Sequence, residues 1–463
     1  MSDQKWSVTD DSVFLFPQED DLTADDIKEM VKQNQTYTEN RYKVARQFYK
    51  GHHPILDKQK KSDIDKPDNC LVVNYPKYIV DTFNGFFDGI PPKITLDDED
   101  LNTSLQDFVN YNSLLDLIFE ASKQVSIYGR SYFYIYQNED KKTCVTVVDP
   151  IHSFIIYDDT VAKKAKGFVM YSYDSDNNLS GQVCLTDGLY DIELGNKTAN
   201  VYKNIPAIEF FENEERQGTF ENIETLVNGV NNALSQKAND VEYFADAYMK
   251  ILGSEVDEDT LKQIKDNHII NLASQDGQDV VVEFMEKPNA DGEQENLINR
   301  LNNLIFQISM VANISDDTFG NAASGVSLQY KLLSMRNLAS NKERKFTKSL
   351  RKLFEIVFST GNVIPSNKAE EWQNVKFKFT RNLPSNLVEE AQTAATLSGI
   401  TSQETQLSTL SIVDDPKSEI DQISEDQKRD AEPVNKDTVN YNFGSSQNSN
   451  NGDSSDDKSK EDN

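Results

Sequence analysis

From Phe220 to Leu252 apolar residues return at every third or fourth position: Ile223, Val227, Val230, Leu234, Ala238, Val241, Ala245, Tyr248 and Leu252. That is the period of an α-helix, and it predicts one of about nine turns, about 48 Å long. Residues 293–312 predict a second long helix, with Leu297, Leu301, Leu304, Ile308 and Val311 on one stripe and Ile298 and Ile305 beside it. Two adjacent apolar stripes on one helix can serve two neighbours. Between these helices lie a short helical turn around LKQIK and two strand-like runs, HIINLAS and DVVVEF. Asp276 and Gly277, a pair suited to tight turns, join the two runs, so a small β module is expected on two helical legs. After Gly325 a third long helix is expected to about Phe358, then a strand from Trp372 to Phe379 returning to a sheet domain, then a helical stretch from Leu387 to about Lys428.

The first 220 residues are patterned differently. Thr23, followed by Ala24, Asp25 and Asp26, is an N-cap with acid in the first turn. It opens an amphipathic helix through Ile27, Met30 and Val31 towards Phe48, ended by Gly51. Residues 71–128 read as a short strand, LVVN, and three helices, the first begun by Pro76 and punctuated by Gly85 and Gly89. From Ser131 to Phe211 come short aromatic and β-branched runs, SYFYIY, CVTVVD, FIIY, FVMYSY and AIEFF, separated by turn clusters such as NEDKK and DSDNN. An antiparallel sheet is the economical reading, and with the helices it makes the fold class α+β.

Charge narrows the function. The 463 residues carry 47 Lys+Arg against 77 Asp+Glu, a formal net charge of -30. Such a chain is not built to coat nucleic acid, because non-specific affinity comes mainly from basic residues neutralising phosphates. Against that average, residues 326–358 hold eight basic side chains and two acidic ones, a local +6. Within them Arg344, Lys348 and Arg351 are spaced to share a helix face, to meet either DNA phosphates or an acidic neighbouring subunit. The acidity of the rest favours the neighbour. The stretch GSSQNSNNGDSSDDKSKEDN offers nothing apolar to bury and is expected to be disordered. Cys70, Cys144 and Cys184 form no CxxC pair, which fits a reducing cytoplasm, and no run approaches the ~18 apolar residues of a membrane helix. A cytosolic, soluble chain is expected.

Candidate chemistry reduces to near-misses. Gly320 to Ser327 has the spacing of a phosphate-cradling loop, but Val326 stands where a lysine must reach the phosphates, and Asp316 and Asp317 would repel them. Asp174, Asp176 and Asn178 imitate a calcium loop, yet Leu179 replaces its glycine and Leu185 its bidentate glutamate, which leaves a hairpin turn. The acidic clusters Glu19–Asp21 and Asp97–Asp100 flank helix starts, where carboxylates are stabilised in any case. His52, His53, His152 and His268 are scattered without a metal-binding pattern. No catalytic, metal or cofactor site is assigned.

Six segments in order carry a resemblance: RQFYKGHHPIL at 46–56, NCLVVNYPKYIVDTFNGFFDGIPPKI at 69–94, SIYGRSYFYIY at 126–136, NIPAIEFF at 204–211, ISDDTFGNAASGVSLQYKL at 314–332 and FTRNLPSN at 379–386. Together they resemble the portal proteins of long-tailed phages infecting Gram-positive bacteria, up to about residue 430. The tail beyond has no counterpart.

The resemblance implies a cone-shaped homo-oligomeric ring, dodecameric in the virion, at one vertex of the capsid, through which double-stranded DNA is packaged and ejected. It implies a wing over residues 1–220, stem helices at 221–253 and 293–312, and a clip at 254–292. A tunnel loop at 313–326, a long helix with a returning wing strand at 327–384, crown helices at 385–430 and a tail at 431–463 complete it. Asp316, Asp317, Phe319, Gly320, Asn321, Ser324 and Gly325 would then face the DNA channel. Gln275, Asp276, Gly277 and Gln278 would form the clip's docking surface for the terminase large subunit and the head-completion adaptor. Scaffold and major capsid protein are further implied partners, with assembly in the host cytoplasm and no membrane. Two other classes remain open at this point: a metal-dependent nuclease using the Asp clusters, and an acidic binding protein that mimics DNA.

Overall fold

The computed structural model describes residues 4–58, 67–202, 204–245, 249–252, 281–284, 291–314, 325–383, 387–410, 412, 413 and 415–431. The fold is α+β, in two units, Met1–Asn382 and Leu383–Asn463. In the first, the expected single sheet resolves into two. A seven-stranded sheet runs in the order β1 (Ser7–Val8), β2 (Phe14–Phe16), β6 (Ser153–Asp158), β7 (Ala165–Tyr173), β8 (Leu179–Leu185), β9 (Leu189–Asp191) and β10 (Lys197–Thr198). A three-stranded sheet has β4 (Arg130–Gln137) between β11 (Ala207–Phe211) and β5 (Thr143–Val148). The N-terminal residues, not foreseen as strands, add β2 to β6 in parallel, Phe14 opposite Ile156.

Strand alternation explains why there are two sheets. On β6, Phe154 and Ile156 join one buried cluster with Phe14, Phe16, Val169 and Val183, onto which helix α1 (Ala24–Tyr37) lays Ile27, Met30 and Val31. Ile155, pointing the other way, joins Tyr132, Phe168, Ile205 and Ala207 between the two sheets. The seven-stranded sheet is therefore apolar on both faces. Helix α1 begins as its sequence predicts: Asp26 N–H donates to Thr23 Oγ1 at 3.2 Å and Thr23 N–H to Asp26 Oδ2 at 3.1 Å, a complete capping box. It continues through a π-helical turn, Thr38–Tyr42, into α2 (Lys43–Tyr49), and Gly51 follows at φ +82.

Helices α3 (Tyr75–Asp88), α4 (Glu99–Tyr111) and α5 (Leu114–Tyr128) are the three expected, with Pro76 in the first turn of α3. Between α3 and α4 runs an unforeseen strand, β3 (Ile90–Thr95). Its two prolines disguised it, but it pairs on one side with β14 (Lys376–Thr380), where missing donors are tolerated. The returning strand thus joins β3 and not the sheet domain, and the Trp372 region before it is a 3-10 helix, Ser366–Asn374.

LVVN is not a strand. Residues 69–73 are extended, but their amides donate to side chains of helix α6 (Glu224–Ala245). Asn69 N–H reaches Asn239 Oδ1 at 2.6 Å, Leu71 N–H reaches Ser235 Oγ at 2.8 Å and Val73 N–H reaches Asn231 Oδ1 at 2.8 Å. Every second extended residue meets every fourth helical residue. The steps match because two extended residues cover about 6.6 Å and four helical ones about 6.0 Å.

Helix α6 ends at Ala245, earlier than its periodicity suggests, and Met249–Leu252 is a strand, β12, paired antiparallel with β13 (Val281–Phe284). Tyr248 and Leu252 keep helical spacing, but so short an apolar run is equally compatible with a strand, and the backbone pairing decides. LKQIK, HIINLAS and Gln275 to Gln278 lie outside the described residues, as do Asp316, Asp317, Phe319, Gly320, Asn321, Ser324 and the residues from 432 on. The second long helix is α7 (Asp291–Ser309). The third is interrupted at Leu332, giving α8 (Gly325–Lys331) and α9 (Leu333–Ser359). In the second unit, three shorter helices, α10 (Leu387–Leu397), α11 (Gln403–Leu407) and α12 (Pro416–Ala431), replace the continuous stretch.

Asn231, fully buried, carries the ladder's innermost acceptor. Asn231→Leu strands the Val73 amide and is expected to cost about 1–3 kcal/mol, whereas Asn239→Ala at the other, half-buried end costs less. Melting temperatures of the two variants check this; equal losses would contradict a graded ladder.

Candidate functional site

Helices α6 and α7 pack antiparallel. Leu301 approaches Gly229, Gln294 Nε2 donates to Asp240 Oδ2 at 3.1 Å, and Lys237 pairs with Glu295. Val227 and Val230 of α6 and Ile298 and Ile305 of α7 are buried, while Leu297 and Ile308 on the neighbouring stripe of α7 stay exposed, as does Val241 of α6.

The exit from α7 is held from below by the start of α3. The rings of Tyr75 and Tyr78 both stand edge-on to Phe306, at 5.7 and 5.9 Å. Tyr75 Oη donates to Asn302 Oδ1 at 2.7 Å, and Ile314 N–H donates to Tyr78 Oη at 3.1 Å. Met310 takes a left-handed φ of 59, a conformation that costs a non-glycine residue roughly 1–2 kcal/mol, and Val311 beneath it is buried. The chain entering the segment from Asn313 to Gly325 is thereby fixed at its first residues, and Gly325 itself opens α8. In the sequence Pro76 marks only the start of a helix; the role of Tyr75 and Tyr78 as a buttress depends on Phe306, more than two hundred positions away, which local spacing does not reveal.

Helix α9 separates its cations. Arg344, Lys348 and Arg351 are exposed and line one cleft together, as their spacing predicts. Lys342, counted with them in the sequence, is fully buried. Its Nζ donates to the Ser122 carbonyl at 2.9 Å and to Ser126 Oγ at 2.8 Å, lies 3.4 Å from Glu212 Oε2, and sits over the rings of Phe83, Phe87 and Phe346. Burial lowers the Lys342 ammonium, with Glu212 opposing, and burial raises the Glu212 carboxyl, with Lys342 opposing. Beside them Asp88, at the last turn of α3, is buried with neither carboxylate oxygen hydrogen-bonded in the structure; burial pushes it up to about 7 against the pull of Lys342 and Arg381. Nothing in the local sequence distinguishes Lys342 from its exposed neighbours except its place three to four residues from Ala339 and Phe346 on the apolar stripe.

The acidic clusters weighed as metal ligands serve local structure. Asp98 caps α4 by accepting from Leu101 N–H at 3.1 Å, Asp97 pairs with Lys376, and Asp20 pairs with Lys5. Asp174 closes its hairpin turn by accepting from Asp176 and Asn178 amides at 2.9 and 2.8 Å. Among the described residues no group of three or more His, Cys, Asp or Glu could hold a metal ion, and no helix is long and apolar enough to cross a membrane.

A family model described as "Phage portal protein, SPP1 Gp6-like" matches residues 29–433. No curated protein matches the chain. Among solved structures, a chain from "Neck of empty GTA particle computed with C6 symmetry" is similar over 72% of this chain and 89% of that chain, at 10% identity and a TM-score of 0.46.

The raised Asp88 sets a pH dependence. The folded chain keeps a proton on Asp88 up to about 7, which the unfolded chain releases near 3.8, so this group's contribution to stability falls as pH rises between those values. The slope is at most about 1.4 kcal/mol per pH unit. Glu224, pushed up to about 7 by burial and by Glu221, acts in the same direction. Asp88→Asn is therefore expected to flatten the decline in melting temperature between about pH 4 and 7 without abolishing it, and to be more stable than the parent at the upper end. An unchanged pH profile would refute this account of Asp88.

Proposed function

The chain belongs to the SPP1 Gp6-like phage portal proteins, a structural family, and on that premise we propose that it forms a closed ring of twelve copies at one capsid vertex, the conduit for double-stranded DNA in packaging and ejection. The observation that carries the ring is the apolar surplus on α7. Ile298 and Ile305 complete the contact with α6, and Leu297 and Ile308 remain exposed on the same helix for a neighbour. In cyclic assemblies such a contact joins two different surfaces and repeats until the ring closes. In this reading α6 and α7 are the stem, the β12–β13 pair is the base of the clip, and Gln275 to Gln278 dock first the terminase large subunit and then the head-completion adaptor. Scaffold and major capsid protein meet the ring's periphery during assembly in the host cytoplasm.

The segment from Asn313 to Gly325 is assigned to the narrowest part of the channel. Asp316 and Asp317 put negative charge where DNA passes, the opposite of a phosphate clamp, which keeps barriers to sliding low on a polymer with about one charge per 1.7 Å of axis. Gly320, Asn321, Ser324 and Gly325 supply small residues for a backbone that yields as the duplex moves, and Phe319 anchors the loop. The hydrogen bond from Ile314 N–H to Tyr78 Oη holds the chain where this segment begins.

Class-averaged electron micrographs of the purified chain are expected to show closed rings; a monomer at micromolar concentration in every salt condition would sink the proposal. Asp316→Lys with Asp317→Lys is expected to leave rings intact and to slow or stall translocation in a packaging assay. Normal packaging velocity in that variant would remove the loop from the mechanism.

A further inference from the structure

A cleft of about 1370 Å³ separates α9 from the turn that joins β6 to β7. At its base Ile155, Ile205, Ala207 and Phe211 are each more than nine-tenths buried. Along one wall stand Arg344, Lys348 and Arg351, spanning about 10 Å of helix. The opposite wall carries Lys163 and Lys164, and at the tip of its turn Val161 projects fully into solvent.

The acids within the cleft are already engaged. Glu209 is held by Arg130 and Arg216, Glu214 by Lys345 and Arg216, Glu343 by Arg381 and Glu355 by Lys352. Among the described residues Lys163, Arg344 and Arg351 form no ion pair, and Lys348 acts only at a distance on Glu214. Unpaired cations thus line both walls of the cleft, in a chain whose net charge is -30.

The dimensions and chemistry select the occupant. The volume exceeds the ~300–1,000 Å³ of small-molecule sites and suits a polypeptide segment. A DNA backbone would match the cations but has little apolar surface to cover Val161. We infer that this cleft receives an acidic segment bearing apolar side chains from a second copy of the chain, as a contact repeated around the ring. The inference rests on the ring reading and adds where a subunit holds its neighbour. A ring needs two unlike surfaces on every copy, and a cationic cleft on an acidic body is one half of such a pair.

The test is the full chain carrying Lys163→Glu, Arg344→Glu and Arg351→Glu, followed by light scattering after size exclusion at about 0.05 and 0.5 M salt. The parent is expected to assemble and to loosen at high salt. The variant, with an unchanged circular dichroism spectrum, is expected to need at least about tenfold more protein to assemble. Arg344→Glu alone, on an exposed position, should show a smaller shift of the same sign and serves if the triple variant fails to fold. A photoreactive residue in place of Val161 should crosslink one copy to another within an acidic segment. Assembly of the variants at parental concentration and salt tolerance would overturn the inference while leaving the ring reading intact, as would crosslinking of Val161 to DNA alone. A parent that never assembles would overturn both.

Discussion

A fully buried lysine organises the first unit. Lys342 Nζ donates to two acceptors on α5, the Ser122 carbonyl and Ser126 Oγ, and forms an ion pair with Glu212, just beyond β11. Phe83 and Phe87 of α3 face it with their rings. Removing one partner of a buried ion pair typically costs about 3–5 kcal/mol, because the other charge is left without compensation. Helix α9 can therefore sit in one register against α3, α5 and β11. Any shift along its axis would withdraw the amine from all its partners at once. The exposed face that carries Arg344, Lys348 and Arg351 is aimed by the same constraint.

A second buried charge set lies on the same strand edge and behaves differently. Glu209 lies within reach of two guanidinium groups, Arg130 at 3.6 Å and Arg216 at 3.2 Å, and accepts from Tyr157 Oη at 2.9 Å. Burial opposes its charge, but the two arginines outweigh burial and hold the carboxyl below its ordinary range. Glu212, three residues on, has a single amine for company, and burial prevails. The arginines thus favour the charge of Glu209, whereas burial works against the charge of Glu212. Arg130 also donates to the Asp11 and Ser12 carbonyls, tying the N-terminal strands to the three-stranded sheet.

The sequence made visible what depends on near neighbours. Thr23 and Asp26 define a helix start within four residues, and the α6 stripe needs no knowledge of its partner. Features settled by distant partners were misread. IPPKIT is a strand because KFKFT lies beside it, and Met249–Leu252 leaves the helical pattern because Val281–Phe284 pairs with it. Lys342 was counted with the solvated cations because burial is decided by Ser122, Ser126 and Glu212, which only the fold brings near. Of the candidate site, the cationic face on α9 was legible from spacing, whereas the Tyr75 and Tyr78 support for the end of α7 was not.

The contact between residues 69–73 and α6 works as a vernier. Its two scales, extended chain and helix, differ by about 0.6 Å at each rung, so the mismatch is about 1.2 Å over three rungs and about 2.4 Å by a fifth. The ladder fixes where along α6 the chain must turn into α3, since Val73 holds the last rung and the Asn74 cap of α3 follows at once. A single-residue insertion in either scale would misplace every rung on one side of it, so this short stretch tolerates substitution far better than a change of length.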